Sequence, residues 1–265
     1  MQRRHFLLMT LSALAAGRVL SAEPPKPATP ITLGAAINKA GRQRMLSQRM
    51  AKAYAMQVLG AMPDRANVWL DASRRLFEAQ LGELKTLVPN DAIQTAIADL
   101  DRAWLGYADI LGKPRSAENG KQVLVESEKT LKAAHALTGL YEKVSGTNAG
   151  RLINISGRQR MLSQRMAKCF MFQQAGVAAD SLRNEQDTAR KEFVAALAEL
   201  NAAKENTSDI KSELSLANTQ WMFFEQALLG NETRDIAIRN VATTSERILE
   251  MMDSLTGRYE KLVAG

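Results

Sequence analysis

The chain has 265 residues, 24% of them charged and 5% aromatic, with a formal net charge of +7. That length suffices for one large domain or two of about 120 residues, each able to bury its own core. A single cysteine, Cys169, rules out an internal disulfide, and two histidines without clustered acids leave neither a metal site nor a catalytic triad to assemble. The chain therefore reads as no enzyme, with no metal and no cofactor. Plentiful Ala, Leu, Lys, Arg, Glu, Gln and Met, without β-branched runs, is the composition of a helical bundle.

In chain order, Arg3-Arg4-His5-Phe6-Leu7 leads into a short apolar run and a small-residue exit near Ser21-Ala22. This predicts a signal peptide over 1–22, because the apolar run is shorter than the roughly 20 residues a spanning helix needs. The twin arginine followed by Phe-Leu points to Tat export, with Sec as the alternative route and an uncleaved anchor as the competing reading. Removing 1–22 takes away Arg3, Arg4 and Arg18 and no acid, so the charge falls to +4, 32 bases against 28 acids. Much of the basicity belongs to the export signal, and a nucleic-acid partner loses its support. No later stretch is apolar enough to cross a membrane, so the expectation is a soluble periplasmic protein. Cys169 stands where a first copy of the motif below has Ala53, which reads as a small buried residue.

Residues 23–30 carry four prolines and read as an extended linker. A first helix is predicted from Thr32 to about Met62, with Pro63 in the first turn of the second. Leu70, Phe77, Leu81, Leu84 and Val88 recur at helical spacing in that second helix. Asn90 caps a third helix, whose stripe Ile93, Ile97, Leu100, Trp104, Tyr107 and Leu111 is the seam of a bundle. Ser116 opens a fourth. The plan then repeats: Phe193, Leu197 and Leu200 follow Phe77, Leu81 and Leu84 by 116 residues, and Leu137-Thr-Gly-Leu-Tyr-Glu-Lys143 returns as Leu255-Thr-Gly-Arg-Tyr-Glu-Lys261. Short connections make each set of four helices antiparallel. The fold class is all-α, two tandem antiparallel four-helix bundles over 31–146 and 150–265. The segment Gly146 to Gly150 reads as a turn, with a kinked continuous helix as the alternative.

The functional lead is a string that occurs twice without change: Gly41-Arg-Gln-Arg-Met-Leu-Ser-Gln-Arg-Met-Ala-Lys52 and Gly157 to Lys168. An Ile-Asn pair precedes each copy, ending at Asn38 and Asn154. On a helical wheel Arg44 projects about 140° from Arg49, towards the side where Ile37, Ala40, Ala51 and Ala55 gather. A guanidinium at a helix seam needs a partner, and 32–62 contains no acid. An incoming planar oxyanion fits its fork of donors. The competing reading is a solvated basic face, or pairing with acids of neighbouring helices. The methionines read as packing, and His135 on the fourth helix as a packing or surface residue.

Ile-Asn-x-[Ala/Ser]-Gly-x-x-Arg-Met-x-Ser-x-Arg resembles the periplasmic P-box of NarX-type nitrate/nitrite sensor kinases, and the fuller string is similar to the PilJ-type domain of type IV pilus chemotaxis transducers. The resemblance implies a motif on the first helix of a four-helix bundle, with nitrate or nitrite held by arginines where two first helices meet. By the motif match, the anion falls to Arg44 and Arg160, supported by Arg49 and Arg165, with Gly41 and Gly157 at the close contact. Arg42, Arg158, Asn38, Asn154, Ser47 and Ser163 stand beside them as supporting residues. This chain departs from the sensor kinases at Arg42-Gln43, Arg158-Gln159, Gln48 and Gln164, and it lacks kinase and methyl-accepting regions. The expected function is binding or sensing of a small oxyanion, with a membrane-bound sensor or transporter as partner. The alternative is a helical interaction module of a pilus, chemotaxis or sensory system with no small-molecule ligand. Both motif copies lie on one chain, so a tight linker would set the motif helices side by side and let Arg44 and Arg160 face one anion.

Overall fold

The protein is described by a computed structural model, which covers residues 31–177 and 179–264. The expected signal peptide and the linker over 23–30 lie outside the described residues. Eight helices fill the described chain: α1 Leu33–Val58, α2 Pro63–Leu84, α3 Asp91–Gly112, α4 Ala117–Ser145, α5 Asn148–Gln174, α6 Ala179–Ala202, α7 Ser208–Leu229 and α8 Arg234–Ala264.

Local chemistry sets the boundaries. The side chains of Thr32, Asn90, Ser116, Thr147 and Thr207 each accept a hydrogen bond from the backbone N–H three residues on, at 3.0–3.3 Å. Pro63 begins α2, where its missing N–H leaves no gap. The first helix stops at Val58, short of the expected Met62. Gly60 turns the chain at φ 66°, and Met62, barred from the right-handed helix by the following proline, takes φ 46°. The linker resolves as a turn: α4 ends at Gly146 in the left-handed region, φ 59°, and Thr147 caps α5 at once.

Within the first half α1 packs on α2 and α4, and α3 on α4; within the second, α5 packs on α6 and α8, and α7 on α8. The halves join through α1 against α5, with α4 touching α5 and α8 touching α1. They do not form two separate cores. One buried apolar cluster runs through both, from Ile37, Leu46 and Phe77 to Leu162, Phe193 and Leu255. Each half carries the same aromatic brace, Phe77 stacked on Trp104 at 4.2 Å and Phe193 on Trp221 at 4.3 Å. Side-chain pairs fix directions. Going up α1, Asn38, Arg42 and Arg49 meet Glu260, Asp253 and Glu246 going down α8. Going up α5, Arg160 and Gln164 likewise meet Asp253 and Ser245. Both motif helices oppose α8 and so run parallel to each other.

Candidate site at the crossing of the motif helices

Gly41 and Gly157 mark where α1 and α5 cross. A Cβ built on Gly41 would stand 3.0 Å from Arg44 Nη2 and 3.7 Å from Arg160 Nη2; on Gly157 the same two distances return with the arginines exchanged. The missing side chains thus make room for two guanidinium groups at the seam. Each reaches across: Arg44 Nη2 donates to the Asn154 carbonyl at 3.3 Å, and Arg160 Nη2 to the Asn38 carbonyl at 3.2 Å. Both arginines are fully buried. The seam position read from the helical wheel is where the structure puts them.

The internal twofold fails at one position on the fourth helix of each half. Where α8 has Asp253, α4 has His135, 118 residues earlier. Asp253 Oδ1 accepts from Arg160 Nη1 and also from Arg42 Nη2, the latter at 2.7 Å. One carboxylate oxygen therefore bridges two arginines of different halves. In the other half, Arg44 Nη1 meets His135 Nδ1 at 3.3 Å. Its remaining contacts are carbonyls, Asn154 and, at 3.5 Å, Gly41. Among the described residues no carboxylate is ion-paired with the buried Arg44 guanidinium, and Glu142 acts on it only without contact. Arg158, the counterpart of Arg42, turns to Glu192 at 2.8 Å.

The electrostatics follow. Burial first, then Arg160 and Arg158, pull Arg44 down to about 9, with Glu142 opposing only in part. Burial lowers Arg160 too, and Asp253 opposes it, leaving about 10. Burial, Arg44 and Arg158 lower the His135 imidazole, which favours its neutral form. Asp253 is held below the usual carboxylate range by Arg160 and Arg42 against its burial.

The other arginines of the motif lie elsewhere. Arg49 and Arg165, expected to support an anion, sit in ion-pair clusters that stitch the halves together. Arg49 pairs with Glu246 of α8 at 2.5 Å, and the buried Lys52 reaches the same carboxylate at 2.6 Å. Arg165 and Lys168 share Glu128 of α4 and Glu185 of α6 at 2.7–2.8 Å. The reading that acids of neighbouring helices pair with the motif holds for these two arginines and also for Arg42, Arg158 and Arg160, leaving Arg44 as the exception. Asn38 and Asn154 donate to Glu260 and Glu142. Ser47 and Ser163 bond back to the Arg44 and Arg160 carbonyls of their own helices. The glutamines anchor the motif helices: Gln43 donates to the Phe77 carbonyl, Gln159 to Phe193, Gln48 to Ser127 and Gln164 to Ser245.

Sequence reading took His135 for a packing or surface residue, whereas it meets Arg44, and it passed over Asp253, Glu246 and Glu128. The repeat held the signal, because the 118-residue offset that aligns Leu137 with Leu255 also aligns His135 with Asp253 and Glu128 with Glu246. The larger surface clefts lie away from the crossing. One is lined by Arg49, Trp69 and Glu246, the other by Leu124, Glu128 and Glu185, and neither reaches Arg44 or Arg160. Among the described residues no group of three His, Cys, Asp or Glu is placed to hold a metal ion. No helix among them is long and apolar enough to cross a membrane.

The family model for the type IV pili methyl-accepting chemotaxis transducer N-terminal domain, PilJ, matches residues 32–129 and 145–244. The chain belongs to the PilJ family. Neither a curated protein nor a solved structure matches it. Each PilJ match takes in one whole motif helix, α1 or α5, and stops part-way along the fourth helix of its half. His135 and Asp253, where the two halves part company, therefore lie beyond both PilJ matches. PilJ is a family of sensory transducer domains and not of catalysts, and its members usually lie in the periplasm. This protein is a helical domain of that sensory kind, with two PilJ units folded around one core.

Proposed function

We propose that this PilJ protein is an exported sensory module that holds a small oxyanion of the nitrate or nitrite type where α1 and α5 cross. The observation that carries the reading is Arg44: fully buried, against a second guanidinium, and without a carboxylate. A buried charge in that state is costly by several kcal/mol and is relieved by an anion. The resemblance of the motif to the P-box of nitrate sensor kinases points the same way. Arg49 and Arg165 act indirectly, by fixing the helices whose crossing makes the site. Export would follow from the twin-arginine leader.

The test is thermal unfolding of the protein lacking residues 1–22, with and without sodium nitrate, nitrite and formate, and with sodium sulfate as a control for ionic strength. A ligand at a hundred times its Kd stabilises the fold by about 2.7 kcal/mol, a shift of several degrees. That shift is expected with at least one planar anion and not with sulfate, and is expected to vanish in Arg44→Met. Equal melting temperatures in all four salts would leave the second reading, a helix-docking module. That reading has its own support in Met222 and Phe223 of α7, 69% and 53% exposed.

A further inference from the structure

The second half of the molecule already holds an anion of its own, and it shows where an external one would sit. Asp253 places a carboxylate oxygen between Arg160 Nη1 of α5 and Arg42 Nη2 of α1. The internal twofold that exchanges Arg160 with Arg44, and Arg42 with Arg158, carries that carboxylate onto α4, at His135. There the acid is replaced by an imidazole whose Nδ1 lies 3.3 Å from Arg44 Nη1. Resting on the anion-binding reading above, we infer that the external anion takes the place in the first half that the Asp253 carboxylate fills in the second, bridging Arg44 and Arg158 beside His135.

Three consequences separate this from a grip centred between Arg44 and Arg160. First, the occupant is of carboxylate size and charge, since the position is one a carboxylate fills in the sister half. Formate, nitrite and nitrate share that planar geometry and single charge. Second, the stoichiometry is one anion per chain, because Asp253 is tethered in the second position at an effective concentration that a free anion does not match. Third, access is from the surface of α4. His135 is solvent-exposed at this point. Arg158 is held by Glu192 in a pair where both partners are about 40% exposed, a contact that water weakens and an incoming anion displaces at little cost. His135 is then the residue that leaves the first half open: an acid there would close it.

Titration calorimetry with sodium formate and sodium nitrate on three proteins tests the assignment. The wild type is expected to bind one anion per chain. His135→Asp supplies the missing carboxylate, and is expected to abolish binding while raising the melting temperature without anion. Asp253→His opens the sister position, and is expected to bind two anions per chain. Binding by the wild type that persists in His135→Asp with unchanged affinity would overturn the placement and leave the anion-binding reading standing. Absence of binding in the wild type, with no gain in Asp253→His, would overturn both. Should Asp253→His fail to fold, the comparison of wild type with His135→Asp decides alone.

Discussion

At the scale of single residues, Arg44 is the least comfortable group in the molecule. Its three hydrogen-bond partners are two carbonyls and an imidazole, and burial together with two other guanidiniums drags it down to about 9. Replacing buried charged groups by apolar ones of similar volume is often stabilising by about 1–4 kcal/mol. Arg44→Met is therefore expected to raise the unfolding free energy by about 1–3 kcal/mol in urea denaturation without anion, at unchanged m-value. Arg160→Met should change it by no more than about 1 kcal/mol, since Asp253 keeps Arg42 and stays partly in water. A drop of more than about 1 kcal/mol for Arg44→Met would mean that the bond to the Asn154 carbonyl clamps the seam and outweighs the charge. Arg44 was legible in the sequence because Gly41 and the apolar side of the helix set it at a close contact. Its lack of a carboxylate was not, since that depends on a side chain 91 residues away.

At the scale of helices, the repeat was legible down to its caps, because Asn90, Ser116 and Pro63 act on their own backbone within a few residues. The pairing of α1 with α8 was hidden, since Arg49 and Glu246 lie 197 residues apart. Yet the two clusters are not equivalent: α5 has Cys169 where α1 has Ala53, and their acids differ in number. Where α6 has Glu185, α2 has Trp69, whose ring centre lies 4.8 Å from Lys52 Nζ. Lys168 thus has two carboxylates and Lys52 has one. Burial, only partly offset by Glu246, takes Lys52 down to about 8, whereas Lys168 rises as Cys169, Glu128 and Glu185 outweigh its burial. Glu246→Gln would strand a fully buried ammonium and the Arg49 guanidinium beside it, and is expected to lose about 3–5 kcal/mol. Glu128→Gln leaves Glu185 to both cations and should lose about 1–2 kcal/mol. Equal losses in the two variants, measured by urea denaturation at pH 7, would show that the Trp69 face substitutes fully for a carboxylate.

At the scale of the whole molecule, the same carboxylates govern how the protein meets acid. Glu246 is pulled down to about 2, against its burial, by Lys52 and Arg49, and Glu185 to about 2, against its burial, by Lys168 and Arg165. Both start from an ordinary value of 4.5, so each folded carboxylate holds its proton more weakly than the unfolded one. The stability they contribute is complete above the unfolded value and is lost as pH falls from about 4.5 towards 2. Asp253, also lowered, adds to the same limb. All three acids lie at contacts between elements, and Glu246 and Asp253 join α8 to the motif helix of the other half. Their protonation therefore loosens the joint between halves at the moment it loosens the halves themselves. The continuous core works to the same end, since α1 and α5 bury apolar faces against each other that neither half covers alone. The expectation is one cooperative acid transition below pH 4.5, with near- and far-ultraviolet circular dichroism changing together and a flat plateau from pH 5 to 7. Two resolved steps would mean that the PilJ units are independent folding units, and that the ion pairs across the seam add little to either.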